Sequence, residues 1–264
     1  MQMEPGEMIG YQVVLRLADD RVMAPDARGR RALASVVLAA GRERGLLAFG
    51  AADTHLHLLA QGDRRGAGLL ARGVELGLRS ALALPIGFAA PAITPIQDQN
   101  HLRSAFGYVQ RNARRHGIVD PTATEASSLH DLLGMRRVAP WLVDRVRGVL
   151  PRVTRATLLE LIALPGLGTL GDVGPDLADA TAAVFALPCL EGNSAGAVRA
   201  RVTGISLVKG EWTPASIGRT FGVGERAVRR LATLAPDPMD VQSLRRQLAW
   251  RAAVGLVAPP ASGF

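Results

Sequence analysis

Alternation of apolar and polar positions is clearest near the start of the chain. Residues 11–17, YQVVLRL, alternate and are rich in β-branched side chains, which predicts a strand. Helical spacing follows over 26–44, with Asp26 as a candidate cap and Leu33, Val36, Val37 and Ala40 on one face. Two short apolar runs, GLLAFGA and THLHLLAQ, meet around AAD and predict an antiparallel hairpin. Over 66–84, Leu69, Leu70, Val74 and Leu78 recur at helical spacing, although glycines dilute the pattern. The proline-bearing stretch 85–97 predicts an extended strand at a sheet edge. Residues 98–116 return to helix, with Asp98 and Asn100 as candidate caps. The order strand–helix–strand–strand–helix–strand–helix predicts an α+β unit, an antiparallel sheet with helices on one face.

A polar linker, IVDPTATEASS, is expected at 118–128. Beyond it every periodic segment is helical: ASSLHDLLGM, PWLVDRVRGVL, TRATLLELIAL, LADATAAVFAL, SAGAVRARVTGISLV and a final helix near 240–255 that carries Arg245, Arg246 and Arg251. Within this half, TPASIGRTFGVGERAVRRL over 213–231 fits a helix-turn-helix. Ile217, Phe221, Val228 and Leu231 would be its apolar pins, Gly218 the crossing point and Gly222-Val223 the turn. Three regions are expected: 1–130, a helical connection over 131–190, and 191–264.

Composition adds a basic balance. The chain of 264 residues has 31 basic and 23 acidic residues, a net charge of +8, and lysine occurs once, at Lys209. Arginine forks suit phosphate, so nucleic acid is a reasonable partner, but a solubilising surface accounts equally well for the charge. The single cysteine, Cys189, excludes a disulfide within the chain, and no apolar run reaches the length of a membrane helix. With no charged-then-apolar leader in MQMEPGEMIG, a cytoplasmic, nucleoid-associated location is expected.

Candidate chemistry begins at THLHLLA. On a strand His55 and His57 share one face while Leu56 and Leu58 turn to the other. Two imidazoles so placed suit a shared divalent ion, and they equally suit a solvent-facing strand with no ion at all. In FGYVQRNARRHG, Tyr108 and Asn112 stand at i and i+4 on a polar helix face, with Arg111, Arg114 and Arg115 supplying charge suited to phosphate or simply to water.

GYQVVLRL, then HLH in a strand, then YVQRN followed by RRHGIV, resemble the tyrosine transposases of the HUH endonuclease superfamily, in particular the REP-associated branch. The resemblance spans about 10–130. It implies a ferredoxin-like nuclease domain, His55, His57 and Asn112 as ligands of Mg²⁺ or Mn²⁺, and Tyr108 as the nucleophile that forms a 5′-phosphotyrosine link on single-stranded hairpin or repeat DNA. The longer stretch from AVRARVTG to AVRRL resembles the DNA-binding domain of replication initiators of the DnaA type. That likeness implies duplex binding by the second helix of the motif, through Arg226, Arg229 and Arg230. A duplex-binding regulator built on a decayed transposase is the other reading. An RNA-binding sheet fits less well, because the strands lack paired aromatics that stack bases.

Overall fold

Alternation along the first and third strands decides which sheet face is filled with hydrocarbon. The structure, a computed structural model, describes residues 8–257 except 53, 117–119, 121, 165, 168–172 and 175, and at 114, 115 and 255–257 the backbone alone. Strands β1 (Gly10–Arg16), β2 (Leu46–Ala52), β3 (His55–Gln61) and β4 (Ala92–Ile96) form one antiparallel sheet in the order β2-β3-β1-β4. In the central pairing Val13 stands opposite Leu58 and Val14 opposite His57. At the edge, β4 accommodates Pro95, where a missing N–H is tolerated. With the helices that follow, the class is α+β, as expected.

Val13, Leu15, Leu56 and Leu58 are fully buried. Helix α1 (Ala27–Gly41) covers their face: Gly41 packs on Leu46, which pairs with Ala60, two residues along from Leu58. Helix α2 (Arg64–Ala81) lies beside α1, with Gly77 so close to Val36 that a Cβ there would come within 2.6 Å of it. Asp26 caps α1 by accepting from the Gly29 N–H at 2.7 Å. Asp63 does the same for Gly66 at 2.7 Å, so α2 starts two residues earlier than its apolar spacing indicates. Leu70, Val74 and Leu78 form the buried stripe of α2, whereas Leu69, expected among them, is 53% exposed. It lies about 100° round the helix from Leu70.

Helix α3 (Gln99–Gln110) lies on the opposite face, so helices cover both faces of the sheet and not one. The contact is close: a Cβ on Gly50 of β2 would meet the Val109 carbonyl oxygen at 2.6 Å. Asp98 alone caps α3, accepting from the Asn100 and His101 N–H groups at 2.8 Å each; Asn100 is inside the helix.

The described part of the expected linker is folded into the body. A 3-10 turn spans Ala123–Ala126, after the short helix α4 (Asn112–Arg115), and leads into α5 (Leu129–Leu132). Ser128 closes the open edge of β2: its N–H donates to the Phe49 carbonyl at 2.9 Å, and its Oγ accepts from the Phe49 N–H at 3.1 Å. Glu125, fully buried, faces Arg31 at 3.3 Å and Arg251 at 2.5 Å. These polar residues are buried because each finds a partner.

Helices α6 (Pro140–Val149) and α7 (Arg155–Leu161) add Leu142, Val146 and Leu158 to the first core. A second core gathers α8 (Leu177–Val184), α9 (Ala195–Val208), α10 (Pro214–Phe221), α11 (Glu225–Ala232) and, through Leu244 and Leu248, part of α12 (Pro238–Val257). The stretch 131–190, expected as a separate connection, is thus divided between the two cores. Trp250 of α12 reaches back into the first core and meets His130 edge-on with ring centroids 5.9 Å apart. Arg251 joins the two, bridging Glu125 and, at 2.8 Å, Asp179. No described helix is long and apolar enough to cross a membrane.

Candidate functional site

The alternation that buries Leu56 and Leu58 turns His55 and His57 toward the α3 face of the sheet. Their ring centroids are 4.8 Å apart, with the planes nearly perpendicular at 88°. From α3, the Tyr108 ring meets His57 edge-on at 5.1 Å. His116, just past α4, stands 5.0 Å from His55. Residues far apart in the chain therefore meet in one place.

Asn112 reaches the same side of the sheet by another route. The helix expected over 98–116 breaks at Arg111 (φ −91°, ψ 1°), whose N–H is shared between the Gly107 and Tyr108 carbonyls at 3.3 and 3.2 Å. After the break Asn112, 1% exposed, donates from Nδ2 to the Gly50 carbonyl at 3.3 Å. Gly50 stands directly opposite His57 in the β2–β3 register. Asn112 is thereby anchored one strand away from His57.

Two buried atoms at this site are left without a hydrogen-bond partner: His57 Nε2 and Asn112 Oδ1. An unsatisfied buried polar group costs about 1–3 kcal/mol, so their presence needs a reason. A cation meeting both would supply one, with two imidazoles and an amide oxygen as donors. Among the described residues no three His, Cys, Asp or Glu side chains converge as ligands. Burial first, then the charges of His55 and His116, lowers the His57 pKa to about 4. The ring is neutral at physiological pH, the form that binds metal.

Gln12 of β1 sets the orientation of that ring, its amide nitrogen lying 3.2 Å from His57 Nδ1. Turned by 180°, the amide would place its oxygen there, fix the proton on Nδ1 and leave the Nε2 lone pair for a metal. Sequence reading missed Gln12, which pairs across from Leu59 and joins His57 only diagonally once the register is known. It missed His116 as well, although four residues from Asn112 is a readable helical spacing.

Arg111 is exposed and folds back on α3, its Nε donating to the Gly107 carbonyl at 3.2 Å. The side chains of Arg114 and Arg115 lie outside the described residues. Arg226, Arg229 and Arg230 belong to α11 in the second core, where all three are exposed and Arg229 pairs with Glu225 at 2.8 Å. The structure thus brings together His55, His57 and Tyr108, with Asn112 tied in through Gly50, and places the α11 arginines elsewhere.

No family model matches this chain. No curated protein matches it either. Among solved structures the chain is similar to a REP-associated tyrosine transposase bound to a REP hairpin, at 16% identity, over 50% of this chain and 84% of that one, with a TM-score of 0.39. A likeness this distant does not place the chain in a family.

Proposed function

We propose that this protein is a metal-dependent single-strand DNA endonuclease and strand transferase of the HUH tyrosine type, carrying a DnaA-like helix-turn-helix module. One observation carries the reading. The rings of two histidines from a strand and a tyrosine from a helix come together at His57, and among the described residues the buried His57 Nε2 and Asn112 Oδ1 have no hydrogen-bond partner.

His55, His57 and Asn112 would hold Mg²⁺ or Mn²⁺. Such an ion polarises a non-bridging phosphate oxygen and stabilises the charge that develops there. The Tyr108 oxygen attacks phosphorus and forms a bond to the 5′-phosphate while the bond to the 3′-oxygen breaks. The phenolic proton leaves to solvent and the departing 3′-oxygen gains one. The link conserves bond energy, so attack by another 3′-hydroxyl rejoins a strand without a nucleotide cofactor. Arg111, beside Tyr108 on the solvent side of α3, is suited to hold the flanking phosphate. Arg114 and Arg115 have that role by sequence alone.

In the second core, α10 and α11 are joined by a turn at Gly222, whose φ of +64° is the left-handed conformation glycine tolerates. Thr213 caps α10, accepting from the Ser216 N–H at 3.2 Å. Gly218 is the close point, since a Cβ there would meet the Val223 carbonyl oxygen at 2.6 Å. Ile217, Phe221, Val228 and Leu231 are buried beneath, leaving Arg226 and Arg230 outward. A helix carrying them is suited to the major groove of duplex DNA.

Hairpin-bearing single-stranded DNA incubated with Mn²⁺ should give a covalent protein–DNA adduct that survives denaturation, and Tyr108→Phe should give none. Equal cleavage by both proteins with no adduct from either would sink the proposal. The exposed α11 arginines favour the alternative, a duplex-binding regulator. Absence of any adduct, together with tight duplex binding lost on Arg226→Ala, would select it.

A further inference from the structure

Gly107 is the chain neighbour of Tyr108 but lies about 100° round α3 from it, towards Leu161. It lines an open groove of about 560 Å³ between α3 and the segment from Leu150 to Leu161. The floor is hydrocarbon: Phe106, Leu158 and Leu161. The charged side chains at its margin are of one sign, beside the neutral Gln99 and Thr157. Arg103 and Arg152 line it, both exposed, and among the described residues no acidic side chain does. The Arg111 guanidinium comes within 3.9 Å of where a Gly107 Cβ would stand, so a third cation meets the same end of the groove.

From this geometry we infer that the groove binds the single strand next to the cleaved phosphate, one base seated on the apolar floor and its phosphates held by Arg103, Arg111 and Arg152. The inference rests on the nuclease reading and names a substrate subsite for it. The volume lies within the ~300–1,000 Å³ of ordinary small-ligand pockets, and a mostly apolar lining with a few placed polar groups is what such sites share. Glycine at 107, between arginines four residues away on either side, keeps the helix surface low where a base must lie. Gln99, at the groove's margin, donates from Nε2 to the Val149 carbonyl at 2.8 Å, which leaves its amide oxygen to accept from a base N–H. Hydrocarbon under the base and cations on the backbone are how sequence-tolerant single-strand sites work. The uniform positive margin favours a polyanion over a neutral peptide.

The test is fluorescence anisotropy with a labelled 12-nucleotide oligothymidine in EDTA, which reads binding without chemistry. Gly107→Leu should fill the groove, and Arg103→Glu with Arg152→Glu should reverse its margin. Each should weaken binding about tenfold or more. Gly107→Ala, whose Cβ would make only ordinary contact with Leu161 at 3.6 Å, should bind like the wild type. Thermal melting checks that each variant folds; the two arginines are exposed, so their replacement keeps the test valid if Gly107→Leu does not fold. Unchanged oligonucleotide affinity in the arginine variant would overturn the inference. So would competition by polyglutamate as effective as by unlabelled oligonucleotide, since that would mark a general anion surface. Adduct formation by wild type with unaltered binding by the groove variants rejects the groove and leaves the nuclease standing. Groove-dependent binding without any adduct does the reverse.

Discussion

The two cores of this protein prepare for a partner in opposite ways. In the first, the atoms suited to chemistry are inside: His57 is 5% exposed and Asn112 1%, and each keeps one buried polar atom unpaired. In the second, a Cβ on Gly204 would come within 2.4 Å of the Phe221 ring, unpaired buried atoms occur among the described residues only away from α11, at Arg201 and Gln247, and the feature offered to a partner is a row of exposed arginines on α11. An interior with unmet valence is completed by something small that enters it. An exposed row of cations is completed by something large that lies against it. If the contrast is sound, substitutions in one region should leave the other's readout alone.

Tyr108→Phe is the sharpest way to test this separation. Cleavage should fall by about 10⁴-fold or more, as when other nucleophiles are removed. Duplex affinity measured on the same preparation should stay at the wild-type level. A parallel loss of duplex binding would show that the two regions act as a single surface.

The seam between the cores offers the next largest effect. Glu125 is fully buried and meets both Arg31 and Arg251, and these two arginines also share Asp179, each at 2.8 Å. Burial raises its pKa, so the carboxylate is retained at a cost and is worth most as the partner of two otherwise stranded cations. Glu125→Leu should destabilise the protein by about 3 kcal/mol, the low end for a broken buried pair because Asp179 remains. Urea denaturation followed by tryptophan fluorescence measures this, with Trp250 inside the first core and its helix in the second. A loss under ~0.5 kcal/mol, within the range of an ordinary surface change, would mean that the seam does not couple the cores.

Smaller still is the effect expected on α11. Arg226→Ala should lower duplex affinity by about tenfold if it reads a base, or weaken all duplexes alike and reduce the salt slope by about 1 if it holds a phosphate. Arg229, already paired with Glu225, should matter less than Arg226 or Arg230. Adduct formation on a short hairpin should not change. Reduced adduct yield at saturating DNA would place α11 in the nuclease site and erase the contrast.

What could be read from the chain before its structure follows the same division. The strands, their hairpin and the caps Asp26 and Asp98 were legible, because alternation and capping are local. His55, His57 and Tyr108 were expected to act together, and the His57 ring lies 4.8 Å from that of His55 and 5.1 Å from that of Tyr108. The described part of the 118–128 stretch was misread because hydropathy treats Glu125 and Ser128 as solvent-seeking, whereas long-range partners in α1, β2 and α12 bury them. Nothing local marks Arg251 of the last helix as buried either. Leu69 failed in the opposite sense: its spacing fits a core stripe, and only the placement of α1 shows which stripe is covered. Gln12 depended on strand register, which no local pattern encodes.

The smallest expected effect concerns pH, and it probes the same seam. His130 is fully buried, 2.9 Å from the Thr124 hydroxyl and edge-on to Trp250. Burial, then the charges of Arg136 and Arg251, holds its pKa well below the ordinary histidine value of 6.5. A depressed folded pKa stabilises above the unfolded value, and the contribution is lost as pH falls below 6.5, because the unfolded chain takes a proton that the folded one refuses. Asp131 works against this. Burial raises it from 3.8 to about 6 despite Arg136 at 2.8 Å, so its contribution grows as pH falls through 6 toward 3.8. Glu125, also raised by burial, acts in the same direction as Asp131. The wild-type slope between pH 7.5 and 5.5 should therefore be shallow, with the histidine and the carboxylates opposed. His130→Gln removes only the histidine, and its stability relative to wild type should rise as pH falls across that range. Urea midpoints at the two pH values measure the difference. A difference that is flat with pH would mean that His130 takes up its proton within the fold, and that its contact with Trp250 does not keep water out of the seam.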